Sequence, residues 1–241
     1  MSERMVNVGG TEIWTKRIGE GQPVLFINGG PGCCHYLDPL MEMVSDFCEA
    51  ITFEPRGCGR SSIGRENYHM KNAIEEIEII RKAYGFNEWN VIGHSWGADL
   101  ALAYTIQCPK SVSRFISISG TGIQNDRDWK ESYKKNKAEK GEETPEFFSE
   151  VNKVVHRSLL DSWRKWIKRS TLLKEISTID VPALFIFGED DIRPSWPVEQ
   201  LSELMKHASF VKIDGAEHYI WMKKQDELNG LVRTFIKNIE N

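Results

Sequence analysis

The chain has 241 residues, 40% apolar and 27% charged, with a formal net charge of −4. That profile suits a globular protein with one large core, or one core plus a small insertion, and gives no reason to expect nucleic acid or an anionic membrane as a partner. No apolar run approaches the ~20 residues needed to span a bilayer, and five cysteines without a C-x-x-C or a paired His spacing indicate neither a disulfide framework nor a zinc site.

Strand-like and helical patterns then alternate along the chain. Pro23-Val24-Leu25-Phe26-Ile27 reads as a buried strand and Ala50-Ile51-Thr52-Phe53 as another. From Ala73 to Tyr84, Ile74, Ile77, Ile80 and Tyr84 share one face of an amphipathic helix that stops near Gly85. Trp89-Asn90-Val91-Ile92 is the next strand, and Ala98, Leu100, Ala101, Leu102, Tyr104 and Ile106 mark the helix after it, which ends before Pro109. Phe115–Ile118, Ala183–Phe187 and Phe210–Ile213 complete the strands, and Leu228, Leu231, Val232, Phe235 and Ile236 define a closing helix. This alternation predicts an α/β fold, a mainly parallel sheet with helices on both faces. The rhythm breaks between Gly122 and Lys174, where no buried strand is evident, Lys130 to Lys140 is mostly Lys, Glu and Asn, and aromatics are scattered (Trp129, Tyr133, Phe147, Phe148, Trp163, Trp166). The expectation is a core of residues 1–121 and 175–241, with 122–174 a helical cap insertion over the C-terminal ends of the strands, where open α/β sheets bind ligands.

The pivotal segment is Gly93-His94-Ser95-Trp96-Gly97, directly behind the strand at Trp89–Ile92. It reads as G-x-S-x-G, a sharp strand-to-helix turn that holds a serine in strained geometry with its hydroxyl above the sheet. Gly93 and Gly97 fit because a Cβ at either place would strike the neighbouring strand or helix. Ser95 then sits at a helix N-terminus, where unpaired N–H groups favour developing negative charge.

A serine hydroxyl needs a base to take its proton and an acid to orient that base. In this arrangement they follow in the order Ser, Asp or Glu, His, on loops after late strands. His218 ends Asp214-Gly215-Ala216-Glu217-His218 and, alone of six histidines, occupies the last strand–helix crossing. His94 is expected to pack or orient locally, and His35, His69, His156 and His207 to be surface or satisfied residues. Gly188-Glu189-Asp190-Asp191-Ile192-Arg193-Pro194 supplies the acid. Asp191 is favoured over Asp190, which is expected to be exposed or bonded to the local backbone. Oxyanion donors are expected from the Trp96 N–H and from Asn28-Gly29-Gly30-Pro31-Gly32, with Gly30 as the donor.

With these residues in place, the chain resembles the α/β-hydrolase superfamily over nearly its whole length, and within it the branch of proline iminopeptidases and related small hydrolases. The resemblance is carried by Asn28-Gly29-Gly30-Pro31-Gly32, by Arg56-Gly57-Cys58-Gly59-Arg60-Ser61, by the elbow with Trp96 after Ser95, and by Asp191 and His218. Three departures stand out: Asn28 replaces the family histidine, Glu54-Pro55 stands where Asp-Gln is usual, and the cap is shorter than in the aminopeptidases. Those enzymes use acidic cap residues to hold a free amino group. Glu142, Glu143, Glu146 and Glu150 could take that part, although the lysines around them suit a solvated helix face.

The resemblance implies a serine hydrolase without cofactor or metal, acting on a small-molecule ester, amide or peptide-like substrate through an acyl-enzyme. Ser95 would be the nucleophile, His218 the base, Asp191 the acid, and Gly30 and Trp96 the oxyanion donors. Related enzymes with an Asp nucleophile, the haloalkane dehalogenases and epoxide hydrolases, are set aside because Ser95 suits attack on acyl carbon. Two alternatives stay open, a proline iminopeptidase-type aminopeptidase and a non-enzymatic ligand receptor on the same fold. The start, Met1-Ser2-Glu3-Arg4, lacks the apolar stretch of a secretory signal. The expectation is therefore a cytoplasmic protein with reduced thiols, Cys33 and Cys34 serving as small packing residues.

Overall fold

Successive strands present apolar side chains to both sides of one sheet, and that double burial organises the chain. The computed structural model describes residues 1–63, 68–124, 127–142, 145 and 151–237. In order, the elements are β1 (Ser2–Val8), β2 (Thr11–Ile18), β3 (Gln22–Ile27), α1 (Asp38–Glu42), β4 (Cys48–Phe53), α2 (Met70–Ala83), β5 (Trp89–His94), α3 (Trp96–Gln107) and β6 (Val112–Ile118). They continue with α4 (Arg127–Lys140), α5 (Lys153–Trp166), α6 (Leu172–Ser177), β7 (Ala183–Gly188), α7 (Trp196–Leu204), β8 (Ala208–Ile213) and α8 (Gln225–Lys237).

The strands form an 8-stranded sheet in the order β1-β2-β4-β3-β5-β6-β7-β8. β1 pairs antiparallel with β2 and β2 with β4, and every other pair is parallel. Leu25 and Ile27 of β3, Val91 of β5 and Phe185 and Phe187 of β7 enter one core, with α2, α3, α5 and α6. Val24, Phe26, Ile92, Leu184 and Ile186 enter the other, with α1 and α8. Each fully buried side chain of this size stabilises the fold by roughly 1.5–3 kcal/mol relative to exposure, so neither face can be given to solvent. Every strand read from the sequence is present. The hairpin of β1 and β2 was not anticipated: β1 is an exposed edge with little apolar alternation. Its signal is Gly9-Gly10, which turns the chain with both φ angles positive (58° and 86°).

Among the described residues of 122–174 there is no strand; α4, α5 and the start of α6 lie there. Phe147 and Phe148 lie outside the described residues, but Trp129, Trp163 and Trp166 are buried, the last two with ring centroids 5.1 Å apart. α5 owes its seat to an apolar stripe, Val155, Leu159, Trp163 and Trp166. The Asn152 side chain caps it, accepting from the N–H groups of Val154 and Val155. The same residue donates from its backbone to Gly32 (2.9 Å) and from its amide to Gly57 (2.8 Å), and His156 Nδ1 donates to Pro31 (2.7 Å). The start of α5 is thus tied to the loops that follow β3 and β4, at the C-terminal end of the sheet.

Candidate active site

β5 hands the chain to α3 through Ser95, which sits at φ 56° and ψ −129°, one of two non-glycine residues with positive φ among those described. Such a conformation costs a side-chain-bearing residue about 1–3 kcal/mol and persists only where packing imposes it. The packing is visible at the flanking glycines. A Cβ on Gly93 would lie 2.3 Å from the Gly97 carbonyl oxygen, and one on Gly97 would lie 2.2 Å from that of Ile27. The turn is wedged between α3 and the end of β3, and Ser95 is left partly exposed at its apex.

At the other side of the same sheet end, two late loops interlock. A Cβ on Gly188 would come within 2.4 Å of the Ala216 carbonyl, and the Asp190 N–H donates to that carbonyl at 2.9 Å. This contact delivers Asp191 to His218: His218 Nδ1 donates to Asp191 Oδ2 at 2.7 Å, with both residues buried. Nδ1 is then the protonated ring nitrogen and Nε2 carries the lone pair. Burial, against the pull of Asp191, holds His218 below the ordinary imidazole value. Burial pushes the Asp191 carboxyl up, but His218 and Arg193 outweigh it and the group sits below its usual range. Asp190 is the exposed neighbour, 4.0 Å from Lys140 Nζ. Of the predicted pair, Asp191 is the one brought to the imidazole. Among the described residues Ser95 Oγ and His218 form no hydrogen bond with each other; such a bond commonly tightens only once substrate is bound.

A buried relay that the sequence did not disclose joins these parts. The Gly29 N–H donates to Tyr36 Oη (2.7 Å), Tyr36 Oη meets His94 Nδ1 (2.7 Å), and His94 Nε2 meets the His218 carbonyl oxygen (3.0 Å). A carbonyl only accepts, so Nε2 of His94 carries its proton. Burial keeps the ring neutral, well below the ordinary value, so Nδ1 accepts from Tyr36. His94 thus does orient its surroundings, as expected, and its ring lies 4.8 Å from that of His218. The relay occupies the Gly29 N–H, leaving Gly30 (φ 60°) as the next N–H of the loop, while Trp96 opens α3.

Two of the departures from the family pattern, Asn28 and Glu54, have visible structural roles. Asn28 is buried and donates within its own loop, to Gly29 and Cys33 carbonyls. Glu54 accepts from the Arg60 N–H (2.6 Å), the Arg60 guanidinium (2.8 Å) and the His35 N–H (3.3 Å), fastening the loop after β4 to the loop after β3. His35 is satisfied between Asp38 (2.7 Å) and Thr52 (3.2 Å). Cys33 is buried and its thiol pushed up to about 12, which suits packing rather than reactivity.

The α/β-hydrolase fold sequence profile matches residues 22–159, more than half of the chain. The chain belongs to the α/β-hydrolase fold family. A proline iminopeptidase of Heyndrickxia coagulans is 31% identical over 121 residues, which cover 48% of this chain and 42% of that protein. The chain therefore matches less than half the length of that relative. Two solved structures align over nearly all of it. The meta-cleavage product hydrolase CumD of Pseudomonas fluorescens has a TM-score of 0.79 at 19% identity, with 98% of each chain covered. The proline iminopeptidase of Mycobacterium smegmatis has a TM-score of 0.75 at 15% identity, again with 98% of each covered. At these identities the two likenesses establish the fold and do not choose between the enzymes.

In this α/β hydrolase the end of α4 meets the Asp191–His218 pair through charge. Arg193 donates to Asp191 Oδ1 from its backbone N–H (2.9 Å) and from Nη1 (3.3 Å), and from Nη2 to Glu142 Oε1 (2.6 Å). Glu142 also takes the Tyr133 hydroxyl (3.1 Å) and Lys137. Its carboxylate is committed, which weakens its candidacy as an amine anchor; Glu143, Glu146 and Glu150 lie outside the described residues. A cavity of about 390 Å³ opens here, with Lys140, Glu142, Asp191, Arg193, Glu217 and His218 in its wall. Among the described residues no cluster of His, Cys, Asp and Glu could hold a metal ion, and no helix is long and apolar enough to cross a membrane.

Proposed function

We propose that the chain is a serine hydrolase cleaving a small ester, amide or peptide-like substrate through an acyl-enzyme. The observation that carries this reading is the 2.7 Å bond from His218 Nδ1 to Asp191, on the sheet end where the elbow holds Ser95 at φ 56°. Ser95 Oγ attacks the substrate carbonyl carbon while His218 Nε2 takes its proton, and Asp191 stabilises the resulting imidazolium. The N–H groups of Gly30 and Trp96 receive the oxyanion. His218 returns the proton to the leaving group, and water then repeats the sequence to release the acid and regenerate Ser95. Substrate remains a small molecule, with no cofactor required by any step.

A second reading, a proline iminopeptidase-type aminopeptidase, draws support from the relative at 31% identity. The engagement of Glu142 by Arg193, Tyr133 and Lys137 counts against that residue as the amine anchor. Hydrolysis of short p-nitrophenyl esters beside a proline arylamide, in wild type and Ser95→Ala, separates the two. Ester turnover that disappears in the variant, with no arylamide cleavage, supports an esterase, and arylamide cleavage supports the aminopeptidase. Ester turnover equal in both proteins would remove Ser95 from the mechanism.

A further inference from the structure

Asp191 has two carboxylate oxygens, and only Oδ2 faces the histidine. Oδ1 is held by Arg193, through its backbone N–H at 2.9 Å and its guanidinium at 3.3 Å. The guanidinium is itself bound on its far side by Glu142, just beyond the end of α4, at 2.6 Å. The rest of α4 reinforces this corner. The Tyr133 ring lies 5.5 Å from the Arg193 guanidinium carbon, the Tyr133 hydroxyl and Lys137 hold Glu142, and Asn136 Nδ2 donates to the Ile192 carbonyl at 3.0 Å. Charges alternate along the chain of contacts Lys137, Glu142, Arg193 and Asp191, which ends on the His218 imidazole.

We propose that Arg193 is a positioning residue for the reaction, and that it couples the seating of the Glu142 corner against the triad loop to the basicity of His218. This inference rests on the serine-hydrolase reading for its catalytic meaning, though not for its structural test. With Glu142 in place, the Arg193 charge is shared between two carboxylates. If the corner lifts away, the whole charge bears on Asp191, the carboxylate neutralises His218 less, and the imidazole gives up its proton more readily. Arg193 and Glu142 do act on His218 with opposite sign, the cation lowering its proton affinity and the carboxylate raising it. The other charged or titratable groups around His218 are accounted for. His94 is neutral and spent on the His218 carbonyl, burial raises the Tyr36 phenol well above its ordinary value, the Tyr219 ring lies 5.1 Å from the imidazole, Glu217 is paired with Lys223, and Lys140 faces Asp190.

The test is an NMR titration of the His218 ring in the full chain, in wild type and in Glu142→Gln, Arg193→Gln and Arg193→Lys. Glu142→Gln should move the His218 midpoint down, Arg193→Gln should move it up, and Arg193→Lys, which keeps the charge, should restore most of the wild-type value. Kinetics should follow: the ratio of kcat/KM at pH 5.5 to that at pH 8 on p-nitrophenyl acetate should rise about threefold in Glu142→Gln and fall about threefold in Arg193→Gln. Midpoints that do not move, or that move the same way in both variants, overturn the proposal. If wild type shows no Ser95-dependent hydrolysis, the serine-hydrolase reading fails while the titration still decides the coupling. A misfolded Arg193→Gln is recognised by its spectrum, and Glu142→Gln, a partly exposed residue on the cap side, then decides alone.

Discussion

The two ends of the site are built by different forces. At the elbow the determinants are steric: Gly93, Gly97 and the end of β3 pack too closely for a Cβ at either glycine, and Ser95 is held between them at a positive φ of 56°. At the Asp191–His218 end, glycine packing only brings the loops together, and the side chains are then arranged by hydrogen bonds and alternating charge through Asp191, Arg193 and Glu142. A steric site resists volume and ignores pH; a site set by charge tolerates shape and responds to protonation. Ser95 is therefore held by the packing of the fold, whereas His218 is set by a charge network that reaches Glu142.

The comparison can be broken in several places. The largest effect should come from Ser95→Ala, which should lower ester turnover by about 10⁶-fold while leaving thermal stability near that of wild type. Residual activity within tenfold of wild type would contradict the elbow's catalytic role. Asp191→Asn should cost about 10⁴-fold in kcat, because the amide cannot hold the imidazolium, and Asp190→Asn should change it less than twofold. Comparable losses in both variants would mean that the acid–base end is not organised around Asp191. Gly97→Ala, which puts a Cβ 2.2 Å from the Ile27 carbonyl, should destabilise the fold by about 3 kcal/mol, seen as a Tm lower by about 10 °C at every pH. A loss that varied strongly with pH would show that charge matters at the elbow too.

The smallest effect concerns Asp99, a buried carboxyl in α3 that accepts from the N–H groups of Thr121 and Gly122 and from the Thr121 hydroxyl. Burial pushes it from 3.8 up to about 7. A raised folded value means that the folded state holds the extra proton, so its contribution to stability is complete at acid pH and is lost as pH rises from about 4 through about 7. Asp99→Asn keeps the acceptor and cannot ionise. Its Tm relative to wild type should therefore climb by a few degrees between pH 4.5 and pH 8, and a flat difference across that range would refute the assignment.

How much of this was legible beforehand follows the same division. Steric devices leave marks in sequence: G-x-S-x-G behind an apolar strand located Ser95, and glycine at the heads of late loops led to Asp191 and His218. The charge network left none, since Glu142, Arg193 and Tyr133 are ordinary residues until folding brings residues 142 and 193 to 2.6 Å. The relay through Tyr36 and His94 was equally hidden, because its four members come from three separate segments, the loop after β3, the end of β5 and the loop after β8. Among elements, the edge hairpin escaped because β1 buries almost nothing. α5 was hidden within an aromatic-rich segment, although Val155, Leu159, Trp163 and Trp166 carry a helical period.

The Gly29 amide shows what such hidden wiring does to motion. It belongs to a glycine-rich loop that would ordinarily trade its protons with solvent quickly. Yet its N–H is buried, bound to Tyr36 and through His94 to the main chain of His218. Exposing that amide to solvent requires breaking its buried bond to a Tyr36 hydroxyl that is itself anchored on His94, so its hydrogen–deuterium exchange should be slow for a glycine-rich loop. The loop after β3 and the loop that carries His218 are thus joined through Tyr36 and His94, and Tyr36→Phe should quicken the exchange of the Gly29 amide.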